Sequence, residues 1–448
     1  MSEWEAHLRA SGLSAVESAA KAALFEKSVH KLREWRGANA SAPHAFFIPG
    51  RLEFLGKHTD YAGGRSLVCA VERGVCLVAA PRADDRIRIF DIQREAAAEF
   101  MCHAEVEPSR GNWSNFPMTV ARRIARDFPG PHEGADIVFA SDLPRASGMS
   151  SSSALIVAIF FALGQINQIS QSEAYRSSIK TVEDLAGYLA AIESGAAFAS
   201  FSGDGGVGTH GGSEDHVAIL CSRAGFLRQY SFCPIRFEKE IRVPEQHAFV
   251  IGVSGVKADK TGDARDAYNR AANAARQILR SWREATGRSD ISLGAALCSS
   301  SEAGKRLQQI LFESRNPGFA PDLLAKRLAQ FSEESEQIVP GAATALASEN
   351  FARLGELVDR SQALAETCLG NQVPETIDLA RSARRLGALA SSAFGAGFGG
   401  SVWALVPQFH AEEFRAAWAL HYHQRFPELA GASAFFVTCA GPGLICFE

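Results

Sequence analysis

The sequence lacks the features that mark membrane, exported and nucleic-acid-bound chains. Its longest apolar run, Ala154 to Leu163, is about half of what a membrane-spanning helix requires. It therefore reads as a buried helix, and no transmembrane segment is expected. Positive charge is not in excess: 46 Lys and Arg against 50 Asp and Glu give a formal net charge of -4. That supplies no global attraction to nucleic acid or an anionic membrane. The opening Met1-Ser2-Glu3-Trp4-Glu5-Ala6-His7 has acidic residues and no basic-then-apolar pattern, so export is not expected. Nine cysteines are scattered with no Cys-x-x-Cys pair and an odd total. This argues against a zinc site and a disulfide framework and for a reducing cytoplasm. No Gly-x-x-x-x-Gly-Lys-Ser/Thr loop occurs either, which disfavours a P-loop NTPase.

At 448 residues, 46% hydrophobic and 21% charged, the chain has the composition of a soluble globular protein with two or three domains. Residues 1 to 40 read as a helical extension. Strands are expected at Leu67 to Ala80, Arg86 to Ile92, Asp136 to Phe139, Val217 to Leu220, His247 to Val253, Val402 to Val406 and Ala434 to Cys439. Helices are expected at Trp113 to Asp127, Ser152 to Ile166, Val182 to Phe198, Arg265 to Thr286, Ser299 to Phe312, Ala342 to Glu366, Pro374 to Leu386 and Ala411 to Gln424. Ser202 to Gly212 is too poor in apolar residues to pack and reads as a mobile loop. A domain boundary is placed near residue 240, dividing 41–240 from 241–448.

Three glycine- and serine-rich segments carry the chemistry. Pro144 to Ala154 sets a tight turn and a run of hydroxyls at the start of an apolar helix. Unpaired N–H groups at a helix N-terminus can cradle phosphate oxygens, and a serine there can ligate magnesium; a plain serine cap is the competing explanation. Gly50 to Tyr61, Gly50-Arg51-Leu52-Glu53-Phe54-Leu55-Gly56-Lys57-His58-Thr59-Asp60-Tyr61, is crowded with polar residues between apolar stretches and would otherwise be a solvated turn. Gly395 to Ser401 has glycines that allow close backbone approach, so it can pack against the serine loop, with a hairpin turn as the alternative.

In this order the three segments resemble the GHMP small-molecule kinase superfamily, and the first resembles its galactokinase branch. Arg51, Gly56, His58, Thr59, Asp60 and Tyr61 match the galactokinase signature. Pro144 to Ala154 is similar to Pro-x-Gly-x-Gly-Leu-Ser-Ser-Ser-Ala, with Ala146 in place of the first glycine and Met149 in place of the leucine. The resemblance implies an α+β fold of two domains with the active site in the cleft between them. It implies ATP against Gly148, Ser150, Ser151, Ser152, Ser153 and Gly397, and Mg2+ between Ser152 and Glu193. Asp215 and Arg51 become the catalytic pair, and Glu53, Lys57, His58, Asp60, Gly212 and Tyr268 the sugar-binding set. Glu193 and Asp215 stand further apart than the family suggests, which places an insertion in the loop from Ser202 to His210.

The activity so implied is ATP-dependent phosphorylation of the anomeric hydroxyl of galactose or a close relative, in the cytoplasm, by a monomer or weak homo-oligomer. Two departures matter. Glu53 stands where the family has asparagine, and Lys57 where it has a sugar-contacting glutamate. An ammonium at 57 suits a carboxylate, so galacturonate or glucuronate is an alternative substrate; equally, Lys57 turns outward or pairs with Glu53. A galactokinase-like sugar sensor without turnover is a further alternative.

Overall fold

The computed structural model describes every residue except 38–42, 110, 145–146, 257–262, 314–317 and 448. Among the described residues the strands form two sheets. The first contains β1 (His44–Leu55), β2 (Arg65–Pro81), β3 (Arg86–Asp91), β4 (Ala96–Met101), β5 (Ala135–Ser141), β6 (Phe226–Ser231), β7 (Arg236–Arg242) and β12 (Ile445–Phe447). The second is ordered β11 (Ala434–Thr438), β8 (His247–Val253), β10 (Ser401–Pro407) and β9 (Ala390–Phe394), antiparallel throughout.

Strand alternation builds the first layer system. Successive side chains point to opposite faces of a strand, so Phe46, Ile48, Leu77 and Ala79 join the main core beneath the Ser151–Ile166 helix. Their neighbours Ala45, Phe47, Cys76 and Val78 pack on the other face against Leu8, Phe25 and Leu32. Those three come from the helices Glu3–Ala10 and Ala15–Arg36. The N-terminal extension therefore covers an apolar sheet face that would otherwise meet water; residues 38–40 of it lie outside the described residues.

Several sequence expectations need correction. Val217 to Leu220 is not a strand: it belongs to the helix Glu214–Cys221. That helix buries Glu214, His216, Val217, Ala218, Ile219 and Cys221, nearly all round, so no polar face revealed its period. The helix expected from Ala342 to Glu366 divides into Val339–Ala347 and Phe351–Leu364, with Asn350 capping the second. A division at residue 240 places β12 wrongly, because Phe46 and Phe47 of β1 pair with Cys446 and Ile445. The loop 202–212 is tied down rather than unpacked. Asp204 meets Arg122 at 2.8 Å and Arg126 at 3.4 Å, and Val207 N–H donates to Glu193 O at 2.9 Å.

Candidate active site

The site begins on β1. Its pairing with β2 shifts register between Pro49 and Arg51 and again between Glu53 and Leu55. Such bulges re-aim side chains next to functional sites. Arg51 and Glu53, two residues apart, both line a cavity, while Leu52 and Phe54 stay in the core. Far from being a solvated turn, Gly50 to Asp60 is buried throughout.

Arg51 organises the centre. Its Nε donates to Asp215 Oδ1 at 2.7 Å, and its Nη1 donates to Gly148 O. Burial works against the guanidinium charge, but the carboxylates of Asp215, Glu53 and Glu214 overcome that, and its pKa is raised. Asp215 sits in the first turn of the Glu214–Cys221 helix. Ser153 Oγ lies 2.7 Å from Glu193 Oε2 and 3.3 Å from Asp215 Oδ2, linking the two carboxylates. Ser152 Oγ is 3.4 Å from Glu193 Oε1, and His216 Nε2 is 3.4 Å from Glu193 Oε2.

The serine loop forms an uncapped helix start. Ser150, the N-cap of Ser151–Ile166, has φ 56° and makes no side-chain capping bond. A non-glycine residue there is strained. The first N–H groups of the helix thus keep their capacity for an anion. Gly148 and Ser150 line the cavity, Ser151 is exposed, and Ser153 is buried. Ala146 lies outside the described residues. The third motif packs on this loop: Ser401 Oγ donates to Ser147 O at 2.6 Å, and Gly395 N–H donates to Glu53 Oε2 at 3.2 Å. Gly395 and Ala396 line the cavity, but Gly397 does not. A Cβ at Gly397 would collide with Asn371, so it serves the packing of the turn.

The opposite wall is the loop after β1. Asp60 accepts from the N–H groups of Tyr61 at 2.8 Å and Glu214 at 3.1 Å. Burial raises its pKa, and those two bonds oppose the shift. A Cβ on Gly212 would strike the Asp60 carboxylate, so only glycine fits there. His58 Nε2–H donates to Ala396 O at 3.1 Å, and Nδ1 lies 2.8 Å from the Tyr61 hydroxyl. Burial, with Arg327 nearby, drives the His58 pKa down to about 4, so the ring is neutral. Tyr268 completes this wall, its ring 5.2 Å from that of His58.

Lys57 is the main departure from expectation. It neither lines the cavity, nor turns outward, nor meets Glu53. It is 1% exposed, and its Nζ donates to Ser361 Oγ at 3.0 Å and Ser392 Oγ at 2.8 Å. Ser361 in turn donates to Glu334 Oε1 at 2.9 Å, which also accepts from Gly56 N–H at 2.9 Å. The ammonium is a structural pin to the second half of the chain, and the motive for a uronic acid substrate goes with it. Glu334 opens a π-helical turn, Glu334–Ile338, after the helix Pro321–Glu333. From that helix Arg327 Nη2 donates to His58 O at 2.5 Å, and Gln330 Nε2 donates to Lys57 O at 3.0 Å.

Sequence reasoning missed Thr209, Gly211, Glu214 and Ala396, all of which line the cavity. Glu214 was within reach, being next to Asp215; a helical reading of its segment would have turned it inward. Ser66 Oγ donates to Glu214 Oε2 at 2.5 Å, and burial beside Glu53 and Asp60 pushes its pKa well up.

Three family models match this chain: the galactokinase galactose-binding signature over residues 36–81, the GHMP kinases N terminal domain over 115–203, and GHMP kinases C terminal over 342–424. The galactokinase of Chloroflexus aggregans is 29% identical over 408 residues, covering 89% of this chain and 92% of that protein. The galactokinase of Actinobacillus pleuropneumoniae serotype 5b is 28% identical over 395 residues, covering 86% and 91%. Among solved structures, Lactococcus lactis galactokinase complexed with galactose has a TM-score of 0.75 at 22% identity, covering 94% of this chain and 99% of that one. Methanococcus jannaschii mevalonate kinase has a TM-score of 0.54 at 12% identity, covering 90% and 99%. The fold is that of these kinases, and the chain belongs to the GHMP kinase superfamily. Within it, residues 36–81 bear the galactokinase signature. The family is one of ATP-using enzymes that work with a divalent metal.

Proposed function

We propose that this protein transfers the γ-phosphoryl group of ATP to the anomeric hydroxyl of galactose or a close relative. The observation that carries the reading is the 2.7 Å Arg51–Asp215 pair, set in a cavity between the uncapped serine-loop helix and the Asp60 loop. Relatives named galactokinase along most of the chain support it.

Asp215, held by Arg51 and Ser153, is an acceptor positioned for the proton of the sugar hydroxyl. As that proton leaves, the sugar oxygen bonds to the γ-phosphorus and the bond to the bridging oxygen of ADP breaks. Arg51 donates to the phosphoryl oxygens as their charge develops. The serine-loop N–H groups hold the remaining phosphates. Ser152 and Glu193 offer a hydroxyl and a carboxylate oxygen 3.4 Å apart, a hard donor pair that suits Mg2+. Bound there, the ion would neutralise phosphate charge. Among the described residues no cluster of three or more His, Cys, Asp or Glu encloses a metal. Mg2+ shared with phosphate oxygens needs no such cage. No helix of the described residues is long and apolar enough to cross a membrane; we place the reaction in the cytoplasm and take the monomer or a weak homo-oligomer as its working form.

The test is sugar-dependent ADP formation by the purified protein with ATP and MgCl2, comparing galactose, N-acetylgalactosamine, arabinose, galacturonate and glucuronate. Turnover on galactose that is lost in Asp215→Ala is the expected result. Turnover only on an acidic sugar, or none on any sugar, overturns it.

A further inference from the structure

The loop after β1 is braced from outside the cavity. Arg327, Gln330 and Glu334 are buried on one side of the helix Pro321–Glu333 and the π-helical turn that follows it, and none of them lines the cavity. Glu334 Oε1 accepts from the N–H groups of Gly56 at 2.9 Å and Lys57 at 3.4 Å. Gln330 Nε2 donates to Lys57 O at 3.0 Å, and Arg327 Nη2 donates to His58 O at 2.5 Å. The backbone from Gly56 to His58 is thus held by side chains of one helical segment. That segment is itself fixed: Leu324, Leu328 and Phe331 pack with Trp282 and Leu307 in a core that takes in Ala62 of the same loop.

His58 has φ 59°, a left-handed conformation that costs a non-glycine residue energy and persists only where its surroundings hold it. Arg327 holds this residue through both backbone and ring. Besides the His58 carbonyl, its Nη2 donates to the Tyr61 hydroxyl oxygen at 3.3 Å, and that hydroxyl lies 2.8 Å from His58 Nδ1. The carbonyl of Ala396, 3.1 Å from Nε2, can only accept, so the neutral ring carries its proton on Nε2 and Nδ1 takes the hydrogen of Tyr61. Every bond in the chain Arg327, Tyr61, His58, Ala396 therefore runs in one direction, and its last three members line the cavity. We propose that Arg327 is a positioning residue for the acceptor sugar, fixing from outside the cavity the Tyr61 and His58 face against which the sugar is held. This rests on the sugar-kinase reading above. A side chain that shapes this face without lining the cavity acts on sugar binding, and leaves ATP binding and the transfer step nearly as they were.

The experiment measures kcat and both KM values with galactose, ATP and MgCl2 for the unaltered protein, Arg327→Met, Arg327→Lys and Gln330→Leu, each corrected for its folded fraction. Arg327→Met should raise the KM for galactose about tenfold, the loss expected of one charge-assisted hydrogen bond, with the KM for ATP within about twofold and kcat within about threefold. Arg327→Lys keeps the charge and one donor and should bring the galactose KM back to about threefold above the unaltered protein. Gln330→Leu, which removes the donor to Lys57 O, should raise the galactose KM alone about threefold, and carries the test if Arg327→Met fails to fold. A merely structural role would lower the folded fraction and leave the galactose KM unchanged; that result, or an equal rise in both KM values, overturns the proposal and leaves the kinase reading intact. A lysine variant as impaired as the methionine variant also overturns it. Absence of galactose turnover by the unaltered protein overturns the kinase reading and the positioning role together.

Discussion

The two walls of the cavity are built from different materials. The wall we assign to phosphate is mainly backbone: the open end of the Ser151–Ile166 helix, the turn at Gly148 and the Gly395 to Ser401 segment laid against it. The wall we assign to the sugar is mainly side chain: Glu53, His58, Asp60, Tyr61, Glu214 and Tyr268. Backbone donors survive substitution of the residues that carry them, which is why Met149 leaves the helix start intact. Side-chain walls carry no such tolerance. Where the galactokinase signature has asparagine, Glu53 places a buried carboxyl in the cavity, and where it has glutamate, Lys57 turns away from the cavity to Ser361 and Ser392.

The largest effects should come where the two walls meet. Asp215→Ala should lower kcat about a thousandfold with a much smaller change in the KM for ATP, since a positioned proton acceptor contributes about that much; steady-state kinetics in both substrates checks it. Arg51→Met should lower kcat about a hundredfold, the usual loss when one charge-stabilising donor is removed. If Arg51→Met raised only the sugar KM, Arg51 would belong to the sugar wall alone. On the phosphate wall, Ser152→Ala should raise the MgCl2 concentration for half-maximal rate about tenfold, a typical result of disturbing a metal's supports. On the sugar side, Lys57→Met should cost about 1–3 kcal/mol of stability in urea unfolding, because it leaves the Ser361 and Glu334 group without its ammonium. The order of preference among sugars should not move.

The smallest effect is a slope. His58 has a folded pKa of about 4 against an ordinary 6.5. Its contribution to stability is complete above the ordinary value and is lost as pH falls through about 4. Glu53 works the other way. Burial raises its pKa from 4.5 to about 7, so its contribution is complete below 4.5 and is lost as pH rises through about 7. Melting temperature against pH should therefore lose part of its decline on the neutral side in Glu53→Gln. A curve unchanged by Glu53→Gln would mean that the carboxyl is not held neutral in the folded state.

Arg51, Asp215, Ser153 and Glu193 could be found in the sequence because their motifs are local and their partners are called for by the reaction. Lys57 could not. Residue type reported an ammonium, but its direction depends on Ser361 and Ser392, some three hundred residues downstream, and on Glu334 in a π-helical turn. Glu214 was hidden by a misread period. Val217, Ala218, Ile219 and Leu220 form a short apolar run that fits strand or helix equally, and only packing on several sides decides for the helix. The loop 202–212 looked unpackable because its anchor is one buried aspartate, Asp204, held by arginines on a helix 80 residues earlier. The resemblance borne by the three motifs implied the fold; the long-range polar partners that direct the side chains stayed out of sight.

The pairing of β12 with β1 has a consequence for how the protein is made. β1 carries Arg51 and Glu53, and Ala45, Phe46 and Phe47 wait for Ile445, Cys446 and Phe447 to satisfy their free edge. The ribosome delivers that partner only after the whole second sheet has been synthesised. Until then the strand bearing the reactive arginine has an open flank, the kind of edge that invites wrong pairing. β1 is thus translated long before the segment that closes its edge, so the strand bearing Arg51 should reach its final pairing only after β12 has docked.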